Sequence, residues 1–272
     1  MKLRLASLIV TFLVILQSSI SFAKQPIQLA IVLDDIGNSR QDLQALKLPR
    51  AITFAILPYT PHAKNIAKLA QEQNRELLLH IPMQAKAHNE RHGKGALMLN
   101  MQELEFKEQL TKALQYLPDA TGINNHMGST LTEHVKPMQW TMDVLYKQGL
   151  YFLDSRTTAQ TIAESTAKIS GIPALRRHVF LDNIKTDVAM EKQFQRAINL
   201  GRNNGSVVII AHPYPETIQF LTNKFKQKNQ QVELVQLHDL LPQSARLALD
   251  KKRSEWQQVN NIIIPSQTAQ TQ

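Results

Sequence analysis

The chain has 272 residues, no cysteine, 43% apolar residues and a formal net charge of +9. That length supports a sizeable core without disulfides, and the missing cysteine excludes thiolate nucleophiles and cysteine-ligated zinc. The basic residues are scattered with no aromatic-basic motif, which argues against a nucleic-acid partner. What remains is a solvated basic surface, or contact with anionic envelope polymers or lipid headgroups.

Lys2 and Arg4 precede an apolar stretch over residues 5–16, and Ser21-Phe22-Ala23 follows with a small-x-small pattern. This predicts a signal peptide over residues 1–23, cleaved after Ala23, and a periplasmic or otherwise exported protein. An uncleaved anchor is the other reading, and both imply export. No later segment approaches transmembrane length.

Residues 27–33 read as a buried strand, followed by a short helix over 39–46 and a strand over 51–57. Thr60-Pro61 has the form of a helix start, and 76–81 is the third strand. A polar loop with His88 and His92 comes next, then a helix opened by an Asn100–Glu103 capping box. Residues 122–126 form a strand, and the helix lined by Val135, Met138, Met142 and Leu145 stops at Gly149. Strand 150–153, helix 157–168 and strand 174–181 follow. Met190, Phe194, Ala197, Ile198 and Gly201 mark a further helix. Residues 207–211 are the clearest buried strand, Pro215 opens a helix, and 232–235 is the last strand. The alternation predicts a parallel α/β sheet or barrel of seven or eight strands in one domain, residues 24–242. The polar stretch 243–272 is expected to be a flexible tail.

Several apolar runs end in polar side chains. Asp34 and Asp35 close the first strand, His80 the third, Asn124-Asn125-His126 the fourth, Asp154 the fifth and His212 the run 207–211. In a strand-helix repeat these ends share one rim. Two adjacent carboxylates do not both ionise freely without a cation nearby, so one suits a metal ligand and the other a proton acceptor. His80 reads as a ligand or a core histidine, and His126 as a histidine serving a site. Asn124 and Asn125 would orient the imidazole or bind substrate. His212, across the opening, suits a general acid. Asp154 either orients a histidine, pairs with Arg156 or caps the next helix. The Arg176-Arg177 pair reads as a solvated edge, with contact to an anionic glycan as the other reading; His88 and His92 have helical metal spacing but lie in a glycine-bearing loop and read as ordinary loop residues.

Leu33-Asp34-Asp35, Leu79-His80-Ile81-Pro82-Met83, the stretch from Gly122 to Ser129, Phe152-Leu153-Asp154-Ser155-Arg156 and Ala211-His212-Pro213 together resemble the divergent polysaccharide deacetylases, an exported branch related to the NodB-like carbohydrate esterases. The resemblance covers residues 27–241. It implies a distorted (β/α) barrel of about seven strands and hydrolysis of N-acetyl groups on a glycan, of peptidoglycan type or another N-acetylated polysaccharide. It also implies a divalent cation, for which zinc is the best fit, with Asp34 as base, and Asp35 and His80 on the metal. The sequence departs from the NodB-like pattern at Gln84, where a second metal histidine is expected, and His126 is the candidate to replace it. An exported metal-dependent deacetylase is therefore expected. The rivals are a non-catalytic envelope protein whose cleft binds glycan or a protein partner, and a hydrolase of another amide or ester.

Overall fold

The computed structural model describes residues 25–226 and 231–263, so the expected signal peptide lies outside the described residues. The first half of the chain alternates β1 (Ile27–Ile36), β2 (Thr53–Ile56), α1 (Ala63–Glu72), β3 (Leu77–Met83), α2 (Glu103–Tyr116), β4 (Gly122–Met127) and α3 (Val135–Gln148). The second half supplies β5 (Tyr151–Asp154), α4 (Ala163–Ile169), β6 (Ala174–Arg176), β7 (Val179–Phe180), α5 (Asp187–Asn204), β8 (Ser206–Ala211), α6 (Pro215–Lys224), β9 (Val232–Val235) and α7 (Gln243–Ile263).

All the strand pairings are parallel, in the order β6-β5-β4-β3-β2-β1-β8-β7, with β9 on the first half of β1. The two edges of this order, β6 and β7, are separated in the chain only by Arg177-His178. Three Cα–Cα steps span at most about 11 Å, so the sheet has to curl until its edges nearly meet. The predicted strand over 174–181 is thus one extended stretch that pairs with β5 through its first half and β8 through its second. The result is a distorted (β/α) barrel.

Side-chain parity along the strands builds its two cores. Leu29, Ile31, Leu33, Leu79, Ile123, Phe152 and Ile209 point outward and pack under the helices. Ala30, Val32, Leu78, Tyr151, Leu153, Val208 and Ile210 fill the interior. Continuing the inward parity by one step reaches Asp34, His80, Asn124, Ser155 and His212, one layer above the interior apolar side chains. The mouth of the barrel is therefore polar because the apolar alternation ends there.

Four sequence expectations differ. Thr60 does not cap α1: its hydroxyl donates to Leu57 O (2.9 Å), and the helix starts at Ala63 after His62. α2 starts at Glu103 after Gln102, without the Asn100–Glu103 capping box. The expected helix over 157–168 is reduced to α4, because Asp154 accepts from Arg156 N and the Thr161 hydroxyl and holds the preceding residues as a loop. Residues 243–263 are not a free tail: α7 brings Leu249 into the interior core beside Tyr151 and Leu241. It also packs so closely on Gly149 that a Cβ there would lie 2.5 Å from Arg253 N.

Candidate metal centre at the barrel mouth

Strict alternation would turn Asp35 away from the mouth. It does not, because the β1–β2 register shifts between Leu33 and Ile36 and Asp35 takes a left-handed backbone with φ +61°. A non-glycine residue held there is strained, and the consequence is that both carboxylates of the Asp34-Asp35 pair face the opening. Asp34 is buried, while Asp35 keeps 32% of its side chain exposed and so remains reachable.

Asp35 Oδ1 lies 3.0 Å from His80 Nε2 and 2.8 Å from His126 Nδ1. One donor atom from each of these three residues lies within 4.8 Å of the others. His80 Nδ1 is 2.8 Å from Asn124 Oδ1. An amide oxygen only accepts, so Nδ1 carries a proton and Nε2 is the atom turned toward Asp35; burial lowers the His80 pKa, but Asp34 and Asp35 outweigh it and raise it. A lone pair facing a carboxylate oxygen at 3.0 Å is repulsive unless a proton or a cation lies between them. The donor set of one carboxylate oxygen and two imidazole nitrogens therefore fits a divalent cation. His80 is held in orientation by an outer hydrogen bond, as metal-binding histidines usually are.

Asp34 stands behind this trio. Its Oδ2 is 3.7 Å from His80 Nε2, and its Oδ1 accepts from Asn124 Nδ2 (2.8 Å). Burial pushes the Asp34 carboxyl up from its ordinary value, against the opposing pull of His80 and His212. For Asp35 burial acts upward too, but the hydrogen bonds from His126 and His80 outweigh it and hold the carboxyl well below the usual range. The two aspartates are thus driven apart in proton affinity. On the far side His212 Nε2 is 4.0 Å from Asp35 Oδ2. Burial lowers the His212 pKa, but Asp182 wins and pushes it up to about 9. Asp182 accepts from His212 Nδ1 (2.9 Å), His212 N (2.7 Å) and the Thr217 hydroxyl (2.8 Å).

Asp34, Asp35, His80, His126 and His212 are therefore brought together, and Asn124 supports them. Asn124 and Asn125 are both fully buried, and of the two expected roles Asn124 takes the orienting one, on His80. Asn124 bridges His80, Asp34 and Ser155, and Asn125 bridges Met127 O and Ser155 N. Asp154 does not join the centre, and Arg156 enters through its backbone, its N donating to Asp154 and its O accepting from Arg177. Asp154 follows Leu153 by one residue, so parity turns it toward the helices, where it binds Arg156 N and Thr161. Gln84, at the position of the missing histidine, is turned to the loop and accepts from Leu99 N (2.8 Å). Asp182 escaped sequence reasoning, although it follows the run Val179-Phe180-Leu181 just as Asp34 follows the apolar run 29–33. Arg177 is no solvated edge: it donates to Ser155 O and Arg156 O (2.6 Å each) and ties the barrel closure to the β5 end. His92 is buried too, accepting from Ala85 N through Nε2.

The sequence profile of the divergent polysaccharide deacetylases matches residues 31–241. An uncharacterized protein of Haemophilus influenzae is 35% identical over 232 residues, covering 85% of this chain and 82% of the relative. The uncharacterized protein YibQ of Escherichia coli is 38% identical over 215 residues, covering 79% of this chain and 67% of its own length. Among solved structures, an uncharacterized protein from Agrobacterium tumefaciens C58 superposes with a TM-score of 0.76 at 21% identity, over 80% of this chain and 90% of that one. The last similarity concerns the fold.

Proposed function

The chain belongs to the divergent polysaccharide deacetylase family, and we propose that it is an exported, metal-dependent hydrolase that removes N-acetyl groups from an envelope glycan. The observation that carries this is the convergence of Asp35 Oδ1, His80 Nε2 and His126 Nδ1, with the His80 tautomer fixed by Asn124. His126 takes the place left by Gln84. Zinc suits this mixed oxygen and nitrogen set best.

Bound there, a divalent cation supplies polarisation of the acetamide carbonyl and a water of lowered pKa. The residues around it do the rest. Asp34, raised by burial, is poised as the base that takes the proton from the attacking water. His212, protonated at neutral pH with a pKa of about 9, gives its proton to the departing amine. Asp182 keeps the His212 Nε2–H pointed into the opening by holding Nδ1. Asn124 fixes both Asp34 and His80, so the base and one ligand keep their spacing without reorganisation.

Export rests on Lys2, Arg4, the apolar stretch 5–16 and Ser21-Phe22-Ala23, and predicts a mature N-terminus at Lys24. The test of the activity is acetate release from N-acetylated oligosaccharides by the mature chain, with and without a chelator. Release that stops with the chelator, returns with zinc and is abolished in Asp35→Ala supports the hydrolase. Release that ignores the chelator refutes the metal-dependent route, and no release with zinc bound refutes the hydrolase.

A further inference from the structure

A cavity of about 460 Å³ opens directly onto the centre, with Asp35 and His126 in its wall. Its size is that of a small-ligand site. Part of its wall is built by the loop between β3 and α2, which contributes His88, Arg91 and Lys94. This loop is pinned at both ends. Gln84 N donates to Leu97 O and Leu97 N to Pro82 O, Lys86 N donates to the Ser129 hydroxyl, and buried His92 accepts from Ala85 N. Gly95, at φ +87°, packs against the Tyr59 ring so closely that a Cβ would lie 2.7 Å from it. That contact sets Lys94 beside the same ring, 5.5 Å from its centroid.

The charge on this wall is one-sided. Asp35 is already committed to two histidines. Glu90, on the loop, is 3.4 Å from His88 and 3.6 Å from Arg91, and all three are well exposed, so it offsets Arg91 only weakly. Lys86 is paired with Glu133 (2.8 Å). Among the described residues Lys94 has no carboxylate within 4.0 Å. A cleft with cations in its wall concentrates anions, and a guanidinium and an ammonium lining the same cavity suit a carboxylate or phosphate group.

The geometry points to a substrate class: the groove takes an anionic N-acetylated glycan, in which a sugar neighbouring the acetylated one carries a carboxylate or phosphate that docks on Arg91 and Lys94. This rests on the glycan reading above, and it adds that neutral N-acetylglucosamine polymers are the poorer ligands.

Calorimetric titration of zinc-loaded Asp34→Ala, which binds without turnover, with three oligomers of equal length tests it. One is neutral N-acetylglucosamine, one alternates N-acetylglucosamine with glucuronate, and one is a phosphate-bridged N-acetylhexosamine. At least one anionic oligomer is expected to bind about tenfold more tightly than the neutral one, with an advantage that shrinks at high salt. Which anionic oligomer shows the advantage identifies the group. Adding R91A/K94A is expected to close the gap, and R91E/K94E to invert it, with unfolding temperature confirming a folded chain. Equal binding of all three, no binding of any, or an anionic preference that survives R91E/K94E overturns the inference. Acetate release by the parent chain is read separately: absent release with the preference intact sinks the hydrolase and leaves this groove standing.

Discussion

Asn124 is the residue whose loss tests the organisation of the centre most sharply. Its side chain is fully buried and makes three hydrogen bonds: from His80 Nδ1 (2.8 Å), to Asp34 Oδ1 (2.8 Å) and to the Ser155 hydroxyl (3.1 Å). Asn124→Ala leaves a buried imidazole N–H and a buried carboxylate short of a partner, at about 1–3 kcal/mol each. Water entering the space recovers part of this, so a net loss of about 3 kcal/mol is expected. For a domain of this size that is a fall of roughly 6–12 °C in unfolding temperature. His80 also loses the contact that fixes its tautomer, which should weaken zinc binding about 10- to 100-fold. Thermal unfolding of the zinc-free chain reads the first effect, and calorimetric titration with zinc the second. A destabilised variant that binds zinc as tightly as its parent would refute the argument that Asn124 orients a ligand.

Three further outcomes are expected. Asp182→Asn removes the partner that holds His212 at about 9, so the alkaline limb of the kcat/KM–pH profile should move down toward about 6.5; an unmoved limb would exclude His212 as the proton donor. At the opposite end of the barrel, buried Glu76 accepts from Thr53, Thr121, Tyr151 and His238 N, with His238 Nδ1 3.1 Å away. Burial pushes Glu76 up, but its pairing with the His238 imidazole outweighs it and lowers the pKa, while His238 is raised by its pairing with Glu76. The glutamate's contribution is present above about 4.5 and lost as pH falls through its lowered pKa, and the histidine's is present below about 6.5 and lost as pH rises through its raised one. The stability gap between parent and Glu76→Gln should therefore be wider at pH 6 than at pH 8.5, and a gap that widens with pH would contradict this. Gly149→Ala sets a Cβ against Leu249 O and Arg253 N at a left-handed residue, so limited proteolysis within α7 should quicken while zinc affinity is unchanged; unaltered proteolysis would argue against the docked helix.

Much of the site was legible because one rule governs it. In Ala30-Val32-Asp34 and Leu78-His80 the inward parity that fills the interior delivers the polar residue to the mouth, and the strand-end pattern already visible in sequence marks it. The same rule explains the failure at Asp154, whose odd position after Leu153 turns it to the other face. It also shows why Asp35 was harder: its place depends on a register shift and a left-handed residue, which no alternation encodes. Asp182 carries the same strand-end signal, after Val179-Phe180-Leu181. α7 was illegible for a different reason. Its own sequence is polar, and what docks it, Gly149 and Tyr151, lies about a hundred residues earlier.

The central claim is that a divalent cation sits between Asp35, His80 and His126. Anomalous diffraction at the zinc edge, from crystals of the mature chain grown with zinc, tests it directly. One peak within bonding distance of Asp35 Oδ1, His80 Nε2 and His126 Nδ1, absent in His126→Ala crystals, is the predicted result. No peak at the barrel mouth, or one that leaves His126 uncoordinated, would contradict it.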